Sequence, residues 1–539
     1  MPLNVSSLKL KRQIIILIFF AMAIFSGTYE IGQTALSIHP QVWVTTGLER
    51  IQQNQDVGLE SDIKLFAARG EYESFQIGVK APQGGLTNVN VSVTDLSGTN
   101  NGVISKSNFT LYRQHYIAVN NSSPQEEGSP NPPLGTGLYP DALIPFVHPE
   151  TKLELKGSEY DAVPFKLDAG KNQPIWVDVF IPRNAQPGEY NGTYTVSSDQ
   201  GKFTGDIFLK VWNFQLPLKP SLKSSFLVWE ERSKNKSAFV ELLKHKIMPA
   251  TDINPSIQRE LIDSWGLNSL KLPFFSGADF HNGKMEAAPS VDEIKKQKAK
   301  NQPDLFQYVY SVDEIDRWPQ LQEPLKLWSQ NIKKAGVKHM AVMTPVSGLY
   351  ENDFFDGQPA VDIWVVLPKM YEAAQSRVSE AMKNGCEVWF YTAFAEDAHS
   401  PKWLIDFAPI NFRIPHGFIN QSLGLSGLFY WRVDLWKGNP WKEEQTVFED
   451  KRYYPGEGIL VYPGQELGIE GIVPSIRLKW IRDGVEDYEY IQTLKNLGRE
   501  DIALSISRSI AYDWKNWTKE PQKLEEARQK LALEIEKAS

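Results

Sequence analysis

The chain has 539 residues, of which 42% are hydrophobic and 23% charged, and its net charge at pH 7 is −8. This composition is that of a globular protein and excludes collagen-like, low-complexity and largely disordered chains. No Lys/Arg-rich block of five or more residues is present, so the sequence gives no indication of nucleic-acid binding. Cys386 is the single cysteine, which excludes an intramolecular disulfide and a cysteine-based metal site.

The N-terminus has the pattern of an export signal. Lys9, Lys11 and Arg12 precede an apolar run at residues 14–25. A charged stretch followed by an apolar run of about 12 residues is typical of a signal peptide and is short for a membrane span. We expect residues 1–37 to be a signal peptide, with an uncleaved N-terminal anchor as the alternative because no clean A-x-A site follows. The protein is therefore expected to be secreted or in the cell envelope, with membrane contact only through this segment.

Strand patterns follow one another in residues 38–216. Runs that alternate apolar and polar residues, or are β-branched and aromatic, occupy residues 41–45, 75–79, 89–93, 176–181 and 203–212. Turn dipeptides such as Pro187-Gly188 and Asn191-Gly192 separate strands. Short strands with regular turns predict a β-sandwich domain. Residues 120–140, rich in Ser, Pro, Gly and Asn, are expected to form a long loop.

The pattern changes after a stiff linker at residues 216–220. Expected strands at residues 225–229, 248–251, 270–274, 306–312, 338–343, 361–367, 387–391 and 427–433 now alternate with helical stretches. The helices between them are expected at residues 237–247, 291–300, 321–335 and 368–384, and a long one follows at residues 474–497. This alternation predicts that residues 221–539 form a (β/α)8 TIM barrel with C-terminal helices, so the fold class is β plus α/β.

Acidic residues come directly after several of the expected barrel strands, where barrels carry their catalytic groups. Asp313 and Glu314 follow the fourth strand, and further acidic groups follow other strands: Asp279 with His281, Glu396 with Asp397, and Asp434. Adjacent carboxyl groups point apart, so one can contact a leaving-group oxygen and the other a neighbouring part of the substrate. The alternative interpretation is a helix N-terminal turn, where Asp and Glu are favoured by the dipole.

Aromatic residues crowd the same strand ends. Tyr391, Tyr430, Trp431 and Trp436 are the clearest. Any one of them could fill the core between the barrel and its helices, but together with the acidic residues they favour a carbohydrate cleft. We therefore take these four, together with Asp434, as candidate substrate-binding residues. The eight His residues have no metal-ligand spacing, and neither a metal nor a cofactor is expected.

Several longer stretches carry a resemblance. In the C-terminal part they are Y-S-V-D-E-I at 310–315, V-W-F-Y-T at 388–392, G-L-F-Y-W-R-V-D-L-W at 427–436, V-Y-P-G at 461–464 and V-P-S-I-R-L-K-W-I-R-D-G-V-E-D-Y-E-Y at 473–490. In the N-terminal part they are A-R-G-E-Y-E-S-F-Q at 68–76 and I-P-R-N-A-Q-P-G-E-Y-N-G at 181–192. Over nearly the whole mature chain, the sequence resembles glycoside hydrolase family 123 and its relatives called domain of unknown function 4091.

The resemblance implies a β-sandwich followed by a (β/α)8 barrel. It also implies β-N-acetylgalactosaminidase-type hydrolysis with retention, in which the acetamido oxygen of the substrate attacks the anomeric carbon. Carried over, Asp313 would orient and stabilise the acetamido group, Glu314 would protonate the leaving oxygen and then activate water, and Tyr391 and Trp431 would line the sugar site. Ile315 stands where the family often has Pro, and residues 413–420 also depart from the family pattern, which leaves the sugar open.

The sequence thus predicts an exported glycoside hydrolase of β-N-acetylhexosaminidase type, acting on an oligosaccharide or glycoconjugate. A non-catalytic carbohydrate-binding or cell-envelope protein on the same scaffold is the alternative. A third interpretation is a hydrolase for sugars without the acetamido group, with Asp313 or another carboxylate as nucleophile.

The charged residues of the stretch at 473–490 are distinctive in their own right. Arg477, Arg482, Asp483 and Asp487 are expected to form an ion-pair network that anchors the long helix. Ligand binding by Arg477 is the alternative.

Overall fold

The computed structural model describes residues 38–155, 158, 160–443 and 445–539. The predicted signal peptide or anchor, residues 1–37, lies outside the described residues. Within the part of the chain that is described, no helix is both long and apolar enough to cross a membrane.

Two mostly antiparallel sheets form the N-terminal region. Its strands are β1 Gln41–Thr46, β2 Ile63–Arg69, β3 Tyr72–Lys80, β4 Leu86–Val93, β5 Leu96–Gly98, β6 Val103–Ile104, β7 Phe109–Val119, β8 Gly137–Pro145, β9 Phe165–Leu167, β10 Asn172–Phe180, β11 Gly188–Ser198 and β12 Gly201–Gln215. One sheet has the order β1-β3-β10-β7-β8. The other has the order β2-β12-β11-β4-β9, with β5 on β11 and β6 on β5, and its β2–β12 pair is parallel.

The two sheets share one hydrophobic core. Phe75 and Ile77 of the first sheet and Tyr194 and Leu209 of the second are all fully buried in it. Alternate residues point inward because side chains in a strand have a period of two, which is the pattern the sequence predicted. The expected loop at residues 120–140 ends earlier than predicted, because β8 already begins at Gly137 and pairs with β7.

Eight parallel strands form the second region, in the order β14-β13-β20-β19-β18-β17-β16-β15. They are β13 Lys223–Leu227, β14 Pro249–Ala250, β15 Ser269–Lys271, β16 Phe306–Asp313, β17 Lys338–Val342, β18 Ile363–Val366, β19 Glu387–Tyr391 and β20 Gly427–Tyr430. The end strands β14 and β15 lie side by side, so the sheet curls into a nearly closed barrel. Two short hairpins follow, β21 Thr446–Glu449 with β22 Arg452–Pro455 and β23 Val461–Pro463 with β24 Ile472–Pro474.

Helices connect the barrel strands and close the chain. They are α1 Lys236–Lys244, α2 Pro255–Trp265, α3 Val291–Lys298, α4 Gln322–Lys334, α5 Pro368–Ala373, α6 Gln375–Lys383, α7 Ile410–Ile414, α8 Asn420–Leu423, α9 Ile476–Asn496, α10 Glu500–Ile510 and α11 Pro521–Ala538. A π-helical turn, Pro415–Ile419, joins α7 to α8. The single helix predicted at residues 368–384 is wrong in one respect: it breaks at Ala374, whose φ of −136° is not helical.

Helix α9 anchors the barrel to the N-terminal sheets through buried ion pairs. The Arg477 guanidinium binds the Asp141 carboxylate of β8 with two hydrogen bonds of 2.8 and 2.9 Å. Arg482 binds Asp178 of β10 at 3.1 and 3.2 Å. Because both guanidinium groups are buried and occupied, the predicted anchoring network is confirmed, and Arg477 is not available to a ligand.

Candidate active site

The acidic pair lies at the carboxyl end of the fourth barrel strand, as predicted. Asp313 is the last residue of β16, and Glu314 follows with φ 48° and ψ 46°. This left-handed conformation costs a residue with a Cβ about 1–2 kcal/mol, and such strain gathers at functional sites. Glu314 precedes a short 3-10 turn, and its side chain makes no capping hydrogen bond. The pair is therefore not explained as the N-terminal turn of a helix.

Backbone hydrogen bonds to neighbouring segments hold the pair in place. The Glu314 N–H donates to the carbonyl oxygen of Val342, at the end of β17, at 2.6 Å. The Asp313 N–H donates to the carbonyl oxygen of Ala278, in the loop after β15, at 3.2 Å. Because segments from three successive strands meet here, the barrel itself fixes where the two carboxyl groups stand.

Burial and the repulsion of nearby carboxylates favour the protonated form of this pair. Burial raises the pKa of Asp313 to about 7, with further upward contributions from Glu314 and Asp279 against a downward one from the Tyr310 hydroxyl. Burial also raises the pKa of Glu314, which Lys369 partly opposes. Two adjacent carboxyl groups that resist full ionisation can serve as a proton donor and an anionic stabiliser at the same site.

An aromatic wall stands beside the pair. Tyr310 and Tyr391 both pack edge-on against Phe429, with ring centroids 5.4 and 5.2 Å apart. Burial, and then the charges of Asp313 and Glu314, raise the pKa of Tyr391, so its phenol stays neutral next to the pair. The charges of the pair reach Tyr391, so this residue lies near them, and its neutral phenol can donate a hydrogen bond.

A third buried carboxyl group, Glu457, holds the other predicted aromatic residues. Its carboxylate accepts a hydrogen bond from the Trp431 indole N–H at 2.5 Å, from the Phe394 N–H at 2.8 Å and, more weakly, from the Tyr430 hydroxyl at 3.4 Å. Burial raises the pKa of Glu457 to about 7, although these donors act against the rise. Its charge also acts on Tyr391. Glu457 is thus a positioning group for Trp431, which lies half-buried, while Tyr430 is fully buried behind it.

Sequence reasoning missed Glu457 because no strand pattern marks it. One signal was present: it stands between Gly456 and Gly458, whose φ values are +78° and +72°. A Cβ on Gly458 would lie 2.9 Å from the Trp431 ring, and one on Gly456 would lie 2.9 Å from the Arg477 guanidinium. The two glycines let the chain pass close to both groups, which is what aims the Glu457 side chain.

Two predicted substrate-binding residues make contacts of another kind. The Asp434 carboxylate is fully buried and accepts hydrogen bonds from the backbone N–H groups of Trp229 and Glu230, the latter at 2.9 Å. The Trp436 indole N–H donates to the Val461 carbonyl oxygen at 2.8 Å, and the Arg232 guanidinium lies over the ring. Asp434 therefore holds the backbone of the loop after the first barrel strand, and Trp436 connects that loop to β23.

The remaining acidic candidates are also engaged locally. Asp279 accepts from the backbone of His281 in a tight turn. Glu396 forms an ion pair with Lys369, and Asp397 binds Lys402 at 3.2 Å. Within the described ranges, no group of three or more His, Cys, Asp or Glu side chains is arranged to hold a metal ion. Asp313 and Glu314, with their raised pKa values, can offer acid–base and electrostatic chemistry.

Comparison with known families decides the identity. The sequence model of the glycoside hydrolase 123 N-terminal domain matches residues 43–198, and that of the glycoside hydrolase 123 catalytic domain matches residues 314–494. The chain belongs to glycoside hydrolase family 123. The matched catalytic domain begins at Glu314, one residue after Asp313, and includes Glu457 and α9 as far as residue 494, so it covers most of the site described above.

A solved structure of a family 123 member has the same fold. A family 123 glycoside hydrolase from Clostridium perfringens, studied for glycolipid glycan hydrolysis, superimposes with a TM-score of 0.62 over 92% of this chain and 97% of that chain, at 15% identity. A β-glucuronidase from Parabacteroides merdae gives a TM-score of 0.28 at 10% identity, over 77% of this chain and 50% of that one, which is too loose to carry an argument. No curated protein sequence matches this chain.

Proposed function

We propose that this family 123 protein is an exported β-N-acetylhexosaminidase that cleaves a β-linked 2-acetamido sugar of the N-acetylgalactosamine type with retention. In this proposal a β-sandwich supports a (β/α)8 catalytic barrel. The observation that carries it is the pair Asp313–Glu314, buried at the carboxyl end of a barrel strand with pKa values raised by that burial. The substrate is an oligosaccharide or glycoconjugate, and no cofactor takes part.

The proposed reaction uses the substrate as its own nucleophile. The acetamido carbonyl oxygen attacks the anomeric carbon while Glu314 donates its proton to the departing glycosidic oxygen. Asp313 accepts a hydrogen bond from the acetamido N–H and stabilises the positive charge of the oxazoline-like ring that forms. Glu314, now ionised, takes a proton from water as that water opens the ring, which restores the starting configuration.

Two leaving groups separate the roles of the two carboxyl groups. Glu314→Gln removes the proton donor and should lower kcat/KM by about 10²–10⁴-fold for an alkyl leaving group, and much less for an activated aryl leaving group. Asp313→Asn removes the stabilising charge, so its loss of about 10²–10³-fold should persist with both leaving groups. The measurement is kcat/KM for each enzyme on a matched alkyl and nitrophenyl glycoside.

Asp292→Asn provides the matched control. Asp292 is an exposed carboxyl group in the first turn of α3. Its neutralisation should change the rate less than about threefold because solvent screens exposed charges. Full activity in both Glu314→Gln and Asp313→Asn would show that the acidic pair is not the active site. An equal loss of activity in these two variants and in the control would indicate a general electrostatic effect.

Export is proposed on the pattern at the N-terminus. Lys9, Lys11 and Arg12 followed by the apolar residues 14–25 are the supporting observation. N-terminal sequencing of protein recovered outside the cytoplasm should give a start between residues 27 and 39. Intact Met1 in a membrane fraction would instead support an N-terminal anchor.

A further inference from the structure

Strand β16, which carries the acidic pair, contains a β-bulge just before Asp313. The register advances by two residues in β16, from Tyr310 to Val312, while it advances by one residue in the neighbouring strand β17. Ser311 is therefore an extra residue in the ladder between these two strands. Because side chains alternate along a strand, one extra residue reverses the direction of every side chain beyond it. The bulge thus decides which side of the barrel wall Asp313 faces.

The side chains of β16 show this reversal. Val309 shares a core cluster with Trp328 of α4, which lies outside the barrel. Tyr310 instead packs against Phe429 of β20, across the barrel interior. In a regular strand Asp313 would face outward like Val309, because the two positions differ by an even number of residues. The Tyr310 hydroxyl nevertheless donates a hydrogen bond to the Asp313 carboxyl group, which therefore lies on the inner side.

Two neighbouring segments hold the bulged residue. The Ser276 N–H, in the loop after β15, donates to the Ser311 carbonyl oxygen at 3.0 Å. On the other side of β16, the Ser311 hydroxyl lies 2.6 Å from Nε2 of His339 in β17. Both Ser311 and His339 are fully buried. A bulge interrupts the regular ladder, so these two hydrogen bonds are what fixes the extra residue in the barrel wall.

Contacts on both ring nitrogens fix the His339 imidazole. Nδ1 lies 3.0 Å from the Ala360 carbonyl oxygen and 2.7 Å from the Ser329 hydroxyl of α4. Because a carbonyl oxygen only accepts, Nδ1 carries the ring proton and donates it to Ala360, which leaves Nε2 to accept from the Ser311 hydroxyl. Burial lowers the pKa of His339 to about 4, so the ring is neutral near pH 7 and Nε2 remains an acceptor.

We propose that His339 is a positioning residue for the reaction: its hydrogen bond to Ser311 holds the bulge in β16, and the bulge turns Asp313 toward the substrate. The inference rests on the proposed function, because it takes Asp313 as the group that stabilises the charge formed from the acetamido group. His339 itself is fully buried between β17 and α4, so it acts through Ser311 and does not touch the substrate.

The test removes one hydroxyl at a time and leaves the imidazole in place, because a chain without this ring loses several buried hydrogen bonds at once. Ser311→Ala should lower kcat/KM by about tenfold to a hundredfold, mostly through kcat and equally on alkyl and nitrophenyl glycosides, since a small displacement of a reacting group has effects of this size. Ser329→Ala is the matched control, because it removes an equally buried hydroxyl from the same ring but leaves the Ser311 and Ala360 contacts. It should change kcat/KM less than about threefold.

A double-mutant cycle identifies Asp313 as the group that the bulge positions. In the Asp313→Asn background, Ser311→Ala should lower kcat/KM less than about twofold, because the charge that the bulge positions is already absent. A further loss as large as that in the wild type would show that Ser311 supports the whole site, and it would overturn the proposal. Full activity in Ser311→Ala, or an equal loss in Ser329→Ala, would also overturn it.

Crystal structures of the two serine variants test the inference without an activity measurement. If the wild type hydrolyses no acetamido glycoside, the proposed function fails, and these structures then decide whether the bulge positions Asp313. In Ser311→Ala, the Asp313 carboxyl group should move away from the Tyr310 hydroxyl by about 1 Å or more, and in Ser329→Ala it should stay in place. An unmoved Asp313 in Ser311→Ala would overturn the inference.

Discussion

Two regions of this molecule bury carboxyl groups, and the pKa values of these groups shift in opposite directions. In the interface around α9, burial alone would raise the pKa of Asp178, but Arg482 and Lys479 lie against it and hold it well below its usual range. In the catalytic face, burial raises the pKa of Asp313 to about 7, and its nearest charged neighbour is another carboxyl group. Burial disfavours the charge in both places, so the neighbouring charges decide the outcome: Asp178 stays an anion between its cations, whereas the Asp313–Glu314 pair can share a proton.

The comparison predicts its largest effect at the interface. Asp178→Ala leaves the Arg482 and Lys479 cations buried without their shared anion, so the free energy of unfolding should fall by about 3–5 kcal/mol. Urea denaturation measures this loss. Asp206→Ala, which removes an exposed carboxylate from the same region, should cost less than about 0.5 kcal/mol. A similarly small cost for Asp178→Ala would mean that this interface does not depend on its ion pairs.

The next effect concerns Glu457 and the aromatic wall. Glu457→Gln places an amide N–H₂ where either Trp431 or Phe394 needs an acceptor, so kcat/KM should fall by about tenfold to a hundredfold, mostly through KM. Trp431→Phe removes the indole donor. If Glu457 acts by positioning Trp431, the Gln substitution should cost much less in the Trp431→Phe background. Additive losses in that double-mutant cycle would show instead that Glu457 acts independently of the indole.

Asp313→Asn has the smallest predicted effect. Unlike Asp178→Ala, it should increase the free energy of unfolding. Asp313→Asn should raise the free energy of unfolding by about 1–2 kcal/mol at pH 8, because the folded state then no longer carries a buried charge that burial disfavours. The pKa of an Asp in the unfolded chain is about 4. Between about pH 4 and 7 the folded wild type therefore binds more protons than the unfolded wild type, and it loses stability as the pH rises. The advantage of the variant should therefore be small at pH 4.5 and full above pH 7. Denaturation at both pH values checks this, and a stability loss at pH 8 would contradict it.

Much of this architecture could be predicted from the sequence because its signals are local. Buried parallel strands are short apolar runs, so β16 and β19 were predicted within one residue of their bounds. Helix α2 was missed although Asn254 caps it and Pro255 begins it, because polar residues fill most of its length. The α7–α8 helix was missed as well, because Pro415 and Gly417 interrupt it and a π-helical turn accommodates them.

The same distinction between local and long-range signals separates the site residues that could be predicted from those that could not. Asp313, Glu314 and Tyr391 end strands, so a barrel necessarily brings them to one face. Glu457 lies 27 residues beyond Tyr430, in a loop, and reaches the site only through contacts with residues far apart in sequence. Asp434 also follows a strand, but its carboxylate turns to the backbone of the first barrel loop. Side-chain direction within loops depends on tertiary packing, which a local pattern does not encode.

Attack by the substrate's own acetamido group is the central step of the proposed reaction. The direct measurement is kcat/KM of the wild type on two nitrophenyl β-glycosides that differ only in a 2-acetamido or a 2-hydroxy group, together with inhibition by a thiazoline that mimics the oxazoline. We expect turnover of the acetamido substrate, at most trace turnover of the hydroxy substrate, and thiazoline inhibition that weakens in Asp313→Asn. Equal turnover of both glycosides, with no inhibition by the thiazoline, would contradict the mechanism.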